Sequence, residues 1–250
     1  MDARTIAARG GAGLCFVEEI VDGVAKAHFQ PELFRFLRDL ARHNDREWFA
    51  KHKARYEEHV RDPMLRFIAD LAPHLRRIGP RFVADPRPVG GSMFRIHRDT
   101  RFSKDKSPYK TSVAASFRHE AGRQVPAPGF YLHFEPGDVM SGAGLWQPDR
   151  DALAKVRDAI VAKPERFERA ISGRGFTRLA WHGEALKRPP QGYPPDHPLV
   201  EHLRRKDFAV GATFDEKRAC APDFLERCVE SYRVAAPLVQ WLTRTLGLPW

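Results

Sequence analysis

The densest chemistry in the sequence lies between Phe94 and Thr111, in the run FRIHRDTRFSKDKSPYKT. Arg95, Arg98, Arg101, Lys104, Lys106 and Lys110 crowd into it, with only Asp99 and Asp105 to offset them. Arginine presents a planar fork that meets phosphate or carboxylate at two points, and lysine a compact point charge. Ser103, Ser107, Thr111 and the Tyr109 phenol add hydroxyl groups. Phe102, Pro108 and Tyr109 interleave with the charges, a mixture that reads as a loop pinned by apolar anchors with its cations aimed at something. Arg95, Arg98, Arg101, Lys104, Lys106, Tyr109 and Lys110 are therefore candidate anion-binding residues. The competing account is an internal network in which Asp99 and Asp105 hold the arginines and so shape the loop. Two aspartates cannot neutralise six cations, so some positive field should survive either way.

A second pattern is acid–base. In the run FYLHFE, Tyr131, His133 and Glu135 fall on one face of a strand and Leu132 and Phe134 on the other. Arg95 and His97 alternate in the same way with Phe94 and Ile96. If the two strands share a sheet with polar faces on one side, imidazoles, a carboxylate and a phenol converge beside the cations, as general acid–base catalysis requires. His133, His97 and Asp99 are the candidate proton-handling groups; an ordinary solvent-facing sheet surface is the alternative. His97, His133 and Glu135 are metal-ligand types, but no local spacing such as H-x-x-x-H accompanies them, so no metal is assigned. His97-Arg-Asp99 superficially matches a kinase catalytic loop. It lacks the glycine-rich loop, the following Asn and the downstream Asp-Phe-Gly that would give it meaning. No phosphate-binding loop and no G-x-G-x-x-G after a strand occurs, so the sequence names no cofactor.

These groups need a scaffold. Residues 31–43 carry Leu33, Phe34, Phe36, Leu37 and Leu40 on one helical stripe, and Pro31 suits a first turn. Asn44 and Asp45 can cap a second helix, and Pro63 breaks or opens a third that Gly79-Pro80 ends. The period then shortens. Strands are expected over 89–96, 112–117, 130–134, 139–146 and 208–213, the fourth weakened by Gly142 and Gly144. Helices return over 149–161, 164–171, 197–204 (capped by Asp196) and 221–246, the last bent at Pro237. The proline-rich run 187–198 must be a loop. The fold expected is α+β: a single domain over 28–250, with a mainly antiparallel or mixed sheet of about five strands flanked by N- and C-terminal helices.

The whole chain of 250 residues carries a formal charge of +10, and residues 91–123 hold eight Lys/Arg against three Asp/Glu, half of that excess. Hydrophobic content of 42% is enough for a core, which excludes wholesale disorder. No apolar run approaches the ~20 residues of a membrane span. Cys15, Cys220 and Cys228 have no C-x-x-C spacing, which argues against a disulfide framework or zinc knuckle. Residues 1–27 lack a signal-peptide pattern and read as a flexible extension, with a cytoplasmic location as the default.

The central run resembles the signature of the "domain of unknown function 2461" family. His43-Asn-Asp-Arg-Glu-Trp-Phe49, Gly129-Phe-Tyr-Leu-His133, Gly142-Ala-Gly144 with Trp146, and Leu186–Tyr193 followed by Asp196-His-Pro198 are similar to its other motifs. The resemblance spans about residues 29–246 and implies no activity. Three functions are therefore compared. The first is an enzyme or binding protein for a small phosphate- or carboxylate-bearing ligand held by the 95–110 loop. The second is a nucleic-acid-binding module, suggested by charge with Phe102 and Tyr109 nearby. The third is a structural or interaction protein whose motif is an Arg–Asp network, with protein partners unspecified.

Overall fold

A computed structural model describes residues 27–122 and 126–250. The extension expected over 1–27 lies, apart from Ala27, outside the described residues. The first helices follow the apolar stripe: α1 (Pro31–Arg42) buries Leu33, Phe34, Phe36, Leu37 and Leu40. Asp45 caps α2 (Arg46–Lys51) by accepting from the Trp48 N–H at 2.8 Å. After α3 (Lys53–Tyr56), a π-turn over Glu57–Arg61 leads into α4 (Asp62–Ile78). Pro63 explains the widened turn, since it has no N–H to give the preceding turn and its ring crowds the carbonyl four residues back.

Five strands follow: β1 (Val113–Arg118), β2 (Gly129–Glu135), β3 (Asp138–Leu145), β4 (Ala180–His182) and β5 (Phe208–Phe214). They form one wholly antiparallel sheet in the order β1-β2-β3-β5-β4. Between β3 and β4 come α5 (Arg150–Ala162) and α6 (Pro164–Ile171); α7 (Val200–Leu203) and α8 (Glu216–Ala219) flank β5, and α9 (Phe224–Thr245) ends the fold. α9 crosses one face of the sheet. There the Tyr232 hydroxyl donates to the Tyr131 carbonyl at 2.8 Å, and the Ser141 and Ser231 hydroxyls meet at 2.6 Å. Phe130, Leu132 and Phe134 of β2 are fully buried on this side. Phe29, just ahead of α1, forms an aromatic cluster with Phe67, Phe134 and Phe224 that joins α4 and α9 to the sheet. The α+β single-domain expectation holds, with the sheet wholly antiparallel and its helix cover on one face.

Three local expectations need correction. The strand over 89–96 does not form: the chain bends at Ile96, and only the isolated bridges Met93–Ala115 and His97–Tyr109 remain. Phe94 N–H donates to the Ala114 carbonyl and Ser116 N–H to the Ser92 carbonyl, so this segment trims the outer edge of β1 without continuing the ladder. The short β4 was not anticipated, because Ala-Trp-His is too brief to show a period. The helix expected over 197–204 shrinks to Val200–Leu203 with Leu199, not Asp196, at its cap position.

The β4 side of the sheet is closed by His202, whose ring meets Phe167 edge-on at 4.9 Å and Trp181 at 5.2 Å. Burial above all, with the nearby Arg205 charge, lowers its pKa from 6.5 to about 4. Unfolded chain therefore binds a proton between those values that the folded state refuses, so stability declines as pH falls from about 6.5 to about 4 and no further on this account. We expect His202→Phe to flatten that part of the melting-temperature profile; an unchanged slope would remove His202 as its cause.

Candidate functional site

The alternation that buries Phe130, Leu132 and Phe134 turns Tyr131, His133 and Glu135 to the sheet's other face. Register carries the pattern outward. Ser116 stands opposite Tyr131, Gly142 opposite Tyr131 on the other side, Gly211 opposite Gly142, and Ala209 opposite both Gly144 and His182. Small residues thus floor the middle of this face, and larger ones rise at its ends. The result is a groove of about 830 Å³, walled by Phe94, Arg118, Tyr131 and His133 toward β1 and by Trp146, Gln147 and His182 toward β4.

Two glycines of the floor have different reasons. At Gly144 φ is +133°, and a Cβ would stand 2.1 Å from the Phe208 carbonyl oxygen. At Gly211 a Cβ would meet the Ser141 carbonyl at 2.6 Å and His182 Nε2 at 3.1 Å, so its bare backbone lets the imidazole lie over the sheet. That Nε2 is buried and has no hydrogen-bond partner among the described residues, and burial lowers the His182 pKa, keeping the ring neutral near pH 7. The β4 rim is set by Asp207, 5% exposed, whose carboxylate accepts from the Gln147 N–H at 2.7 Å and the Glu184 N–H at 3.1 Å. Gln147 takes a positive φ of 46° in this turn.

On the groove wall the Tyr131 hydroxyl lies 3.1 Å from His133 Nδ1, and beyond the groove lining His133 Nε2 lies 3.4 Å from a Glu135 carboxylate oxygen. Burial chiefly, then Asp138 and Glu135, raises the Tyr131 pKa, so the phenol keeps its proton at neutral pH. His97 does not join them. It is exposed, and its ring neighbours are Phe49 at 6.4 Å and Tyr109 at 5.2 Å. The convergence expected of His97 with His133 is thus absent, because the strand over 89–96 that would have carried it does not form. Asp99 is occupied too: both its carboxylate oxygens accept from Arg101, at 3.0 and 2.7 Å, and that pairing holds its pKa below the ordinary carboxylate range. Among the described residues no group of three or more His, Cys, Asp or Glu is placed to hold a metal ion.

The cationic loop divides. Arg98 pairs with Asp105, which also accepts from the Ser107 N–H and hydroxyl, and Arg101 pairs with Asp99. Lys106 Nζ donates to the Thr100 carbonyl at 2.9 Å. Tyr109 is 6% exposed and stacked on Phe49 at 4.1 Å, so its ring is a core anchor. Its backbone is clamped by Asn44: the side-chain amide donates to the Tyr109 carbonyl and accepts from the Tyr109 N–H, both at 3.0 Å. Asn44, expected as a helix cap, here replaces a strand neighbour. Lys110 and, from β1, Arg118 gather at Phe94, with Lys110 Nζ 5.3 Å and Arg118 Cζ 6.0 Å from its ring centroid. Burial first, then repulsion from Arg95, lowers the Lys110 pKa. Arg95, Lys104, Lys110 and Arg118 have no carboxylate within ion-pair distance among the described residues.

Arg118 and His182 escaped the sequence reading. Arg118 was findable as the next outward position after Ser116 on β1; His182 was not, because β4 itself was invisible. Burial pushes the Cys220 thiol up to about 11 and Cys228 higher still, so neither is a thiolate at neutral pH.

Fold and site together define an α+β protein with an antiparallel sheet, helices on one face and a glycine-floored groove on the other. The chain belongs to the family described as Conserved hypothetical protein (DUF2461), which matches residues 32–241. No curated protein and no solved structure matches it.

Gly144→Ala should lower stability by roughly 1–3 kcal/mol from backbone strain alone, with the Phe208 clash added. Gly142→Ala places its Cβ at an ordinary 3.6 Å from the Tyr131 Cβ and should leave the melting temperature nearly unchanged. Equal melting temperatures for the two variants would refute this account of the floor. Asn44→Leu removes both clamp hydrogen bonds and should cost about 1–3 kcal/mol, with faster amide exchange at Tyr109 and Lys110; unchanged exchange there would deny the clamp its role.

Proposed function

We propose that the protein binds a small phosphate- or carboxylate-bearing molecule in the groove. Its anionic group meets Arg95, Lys110 and Arg118, and its body lies over the glycine floor toward His182. The observation that carries this reading is the division of the cationic loop. Arg98 and Arg101 are spent on Asp105 and Asp99, while Lys110 and Arg118 lean unpaired on a groove-lining aromatic ring. Like charges held together without a counter-ion favour an anion, and part-burial strengthens the attraction by lowering the local dielectric. The neutral, unpartnered His182 nitrogen supplies a second polar contact at the far end.

The test is a thermal-shift panel of phosphate, pyrophosphate, mononucleotides, sugar phosphates and dicarboxylates. A ligand at a hundred times its Kd adds about 2.7 kcal/mol, or several degrees at roughly 2–4 °C per kcal/mol for a chain of this size. Arg118→Ala and Lys110→Ala should each weaken binding about tenfold or more, the scale of a charge-assisted hydrogen bond. Arg98→Ala should lower the melting temperature and leave affinity intact. Loss of binding in Arg98→Ala with retention in Arg118→Ala would reverse the assignment.

One observation favours the nucleic-acid reading: Phe102 is 93% exposed beside Arg101, at the tip of a loop that also carries Lys104. An exposed ring among cations suits base stacking. On that reading short single-stranded DNA binds with a steep salt dependence and Phe102→Ala abolishes it; binding that ignores salt would count against it.

A further inference from the structure

We propose that Tyr131, His133 and Glu135 form a proton relay that makes the groove a general-base site. The substrate would carry an ionisable O–H or N–H group, and Tyr131 is the residue that meets it. This rests on the groove being the ligand site and not on which anion enters it.

The direction of the relay follows from which atoms can hold a proton. A Glu135 carboxylate oxygen stands 3.4 Å from His133 Nε2, and a carboxylate acceptor there favours the ring tautomer with its hydrogen on that nitrogen. Nδ1 then carries the lone pair, 3.1 Å from the Tyr131 oxygen. The phenol, which burial keeps protonated, donates to Nδ1 and turns its own lone pairs to the groove. A ligand X–H group bonded to that oxygen can lose its proton in one concerted movement. The X–H bond breaks and a new O–H bond forms on Tyr131; the old O–H bond breaks and an N–H bond forms on His133. The imidazolium so made lies beside the Glu135 carboxylate, and no electrons leave or enter. Tyr131 is the member that meets the ligand; His133 lines the groove beside it and, with Glu135 behind, acts through the phenol.

The relay is held on a rigid element. β2 is laddered on both sides, and the Tyr131 carbonyl takes an additional hydrogen bond from Tyr232 at 2.8 Å. His133 is 16% exposed by side chain, shielded from water but open along the groove. Gly142 opposite Tyr131 leaves the space beside the phenol clear for a reacting group.

Phenylmethanesulfonyl fluoride tests the relay without knowledge of the substrate. The Tyr131 oxygen forms the S–O bond, the S–F bond breaks, fluoride leaves, and the phenol proton passes to His133. Peptide mass analysis should find the sulfonyl group on Tyr131 of the full-length protein. The rate should fall roughly a hundredfold, the scale of general-base assistance, in His133→Gly, and added imidazole should restore it, which a purely structural histidine would not allow. Glu135→Gln should slow labelling as well. No label on Tyr131, an unchanged rate in His133→Gly, or failure of imidazole to rescue a folded variant overturns the proposal. Should His133→Gly fail to fold, nitrogen NMR of the wild-type ring decides: hydrogen on Nε2 is required, and hydrogen on Nδ1 overturns the relay. Thermal shift reads the anion separately. His133-dependent labelling in a protein that no anion stabilises keeps the relay and discards the anion, and anion stabilisation with His133-independent labelling does the opposite.

Discussion

A strand sends alternate side chains to opposite faces, and β2 uses that constraint to serve two incompatible needs. Phe130, Leu132 and Phe134 must leave water, and α9 covers them. Once they are committed to that side, Tyr131, His133 and Glu135 have only the uncovered side to occupy. A slip of one residue would bury a carboxylate and an imidazole under α9 and expose two phenylalanines and a leucine, so hydrophobic burial fixes the register as firmly as the hydrogen bonds do. The spacing of the polar groups is therefore inherited from the core. The Tyr232 and Ser231 hydroxyls tie α9 to the same strands and keep the two faces in step.

Electrostatics on the open face depends on which charges are already satisfied. The loop following Phe94 looks uniformly basic as a sequence, but its aspartates choose partners two and seven residues away and draw Arg101 and Arg98 inward to the loop's own shape. The Arg101–Asp99 pair is largely exposed and contributes little stability, whereas Arg98 is partly buried in its pair with Asp105 and contributes more. Their consequence lies in where the unpaired charge ends up, against Phe94 at the groove. The internal network and the anion site are separate parts of one arrangement: the first takes up Arg98 and Arg101, and the second is left with the cations at Phe94.

Legibility followed the length and regularity of each signal. The stripe of α1, the alternation of β2 and the cap at Asp45 could be read because each is a local pattern enforced by burial or by an orphan N–H. Residues 89–96 misled because alternation in the sequence cannot reveal a bend at Ile96; what the segment does is set by the edge of β1 and by Asn44 some sixty residues' reach away, which pins Tyr109 through its backbone. Tyr109 among charges looked like a ligand contact, yet its stacking on Phe49 makes it core. β4 was illegible for a related reason: three residues become a strand only because β5 offers them a partner. The part of the site on β2 was thus visible in advance, Arg118 could be reached by extending the β1 alternation past Ser116, and the parts at His182 and Asp207 were not visible, since each depends on a tertiary neighbour.

The glycine floor connects these strands of argument. Glycine weakens a strand interior through lost packing and added chain entropy, so Gly142, Gly144 and Gly211 in one sheet carry a cost in stability. At Gly144 the backbone leaves no choice, and at Gly211 a methyl group would collide with a carbonyl and with His182. Gly142 faces no such obstacle, for an added Cβ there finds only ordinary contacts with Tyr131 and Met140. What Gly142 does preserve is the open space next to the Tyr131 phenol, midway between the cations at Phe94 and the unpartnered nitrogen of His182. A position at which folding would accept a larger residue, and at which the groove would not, is best explained by what the groove must admit.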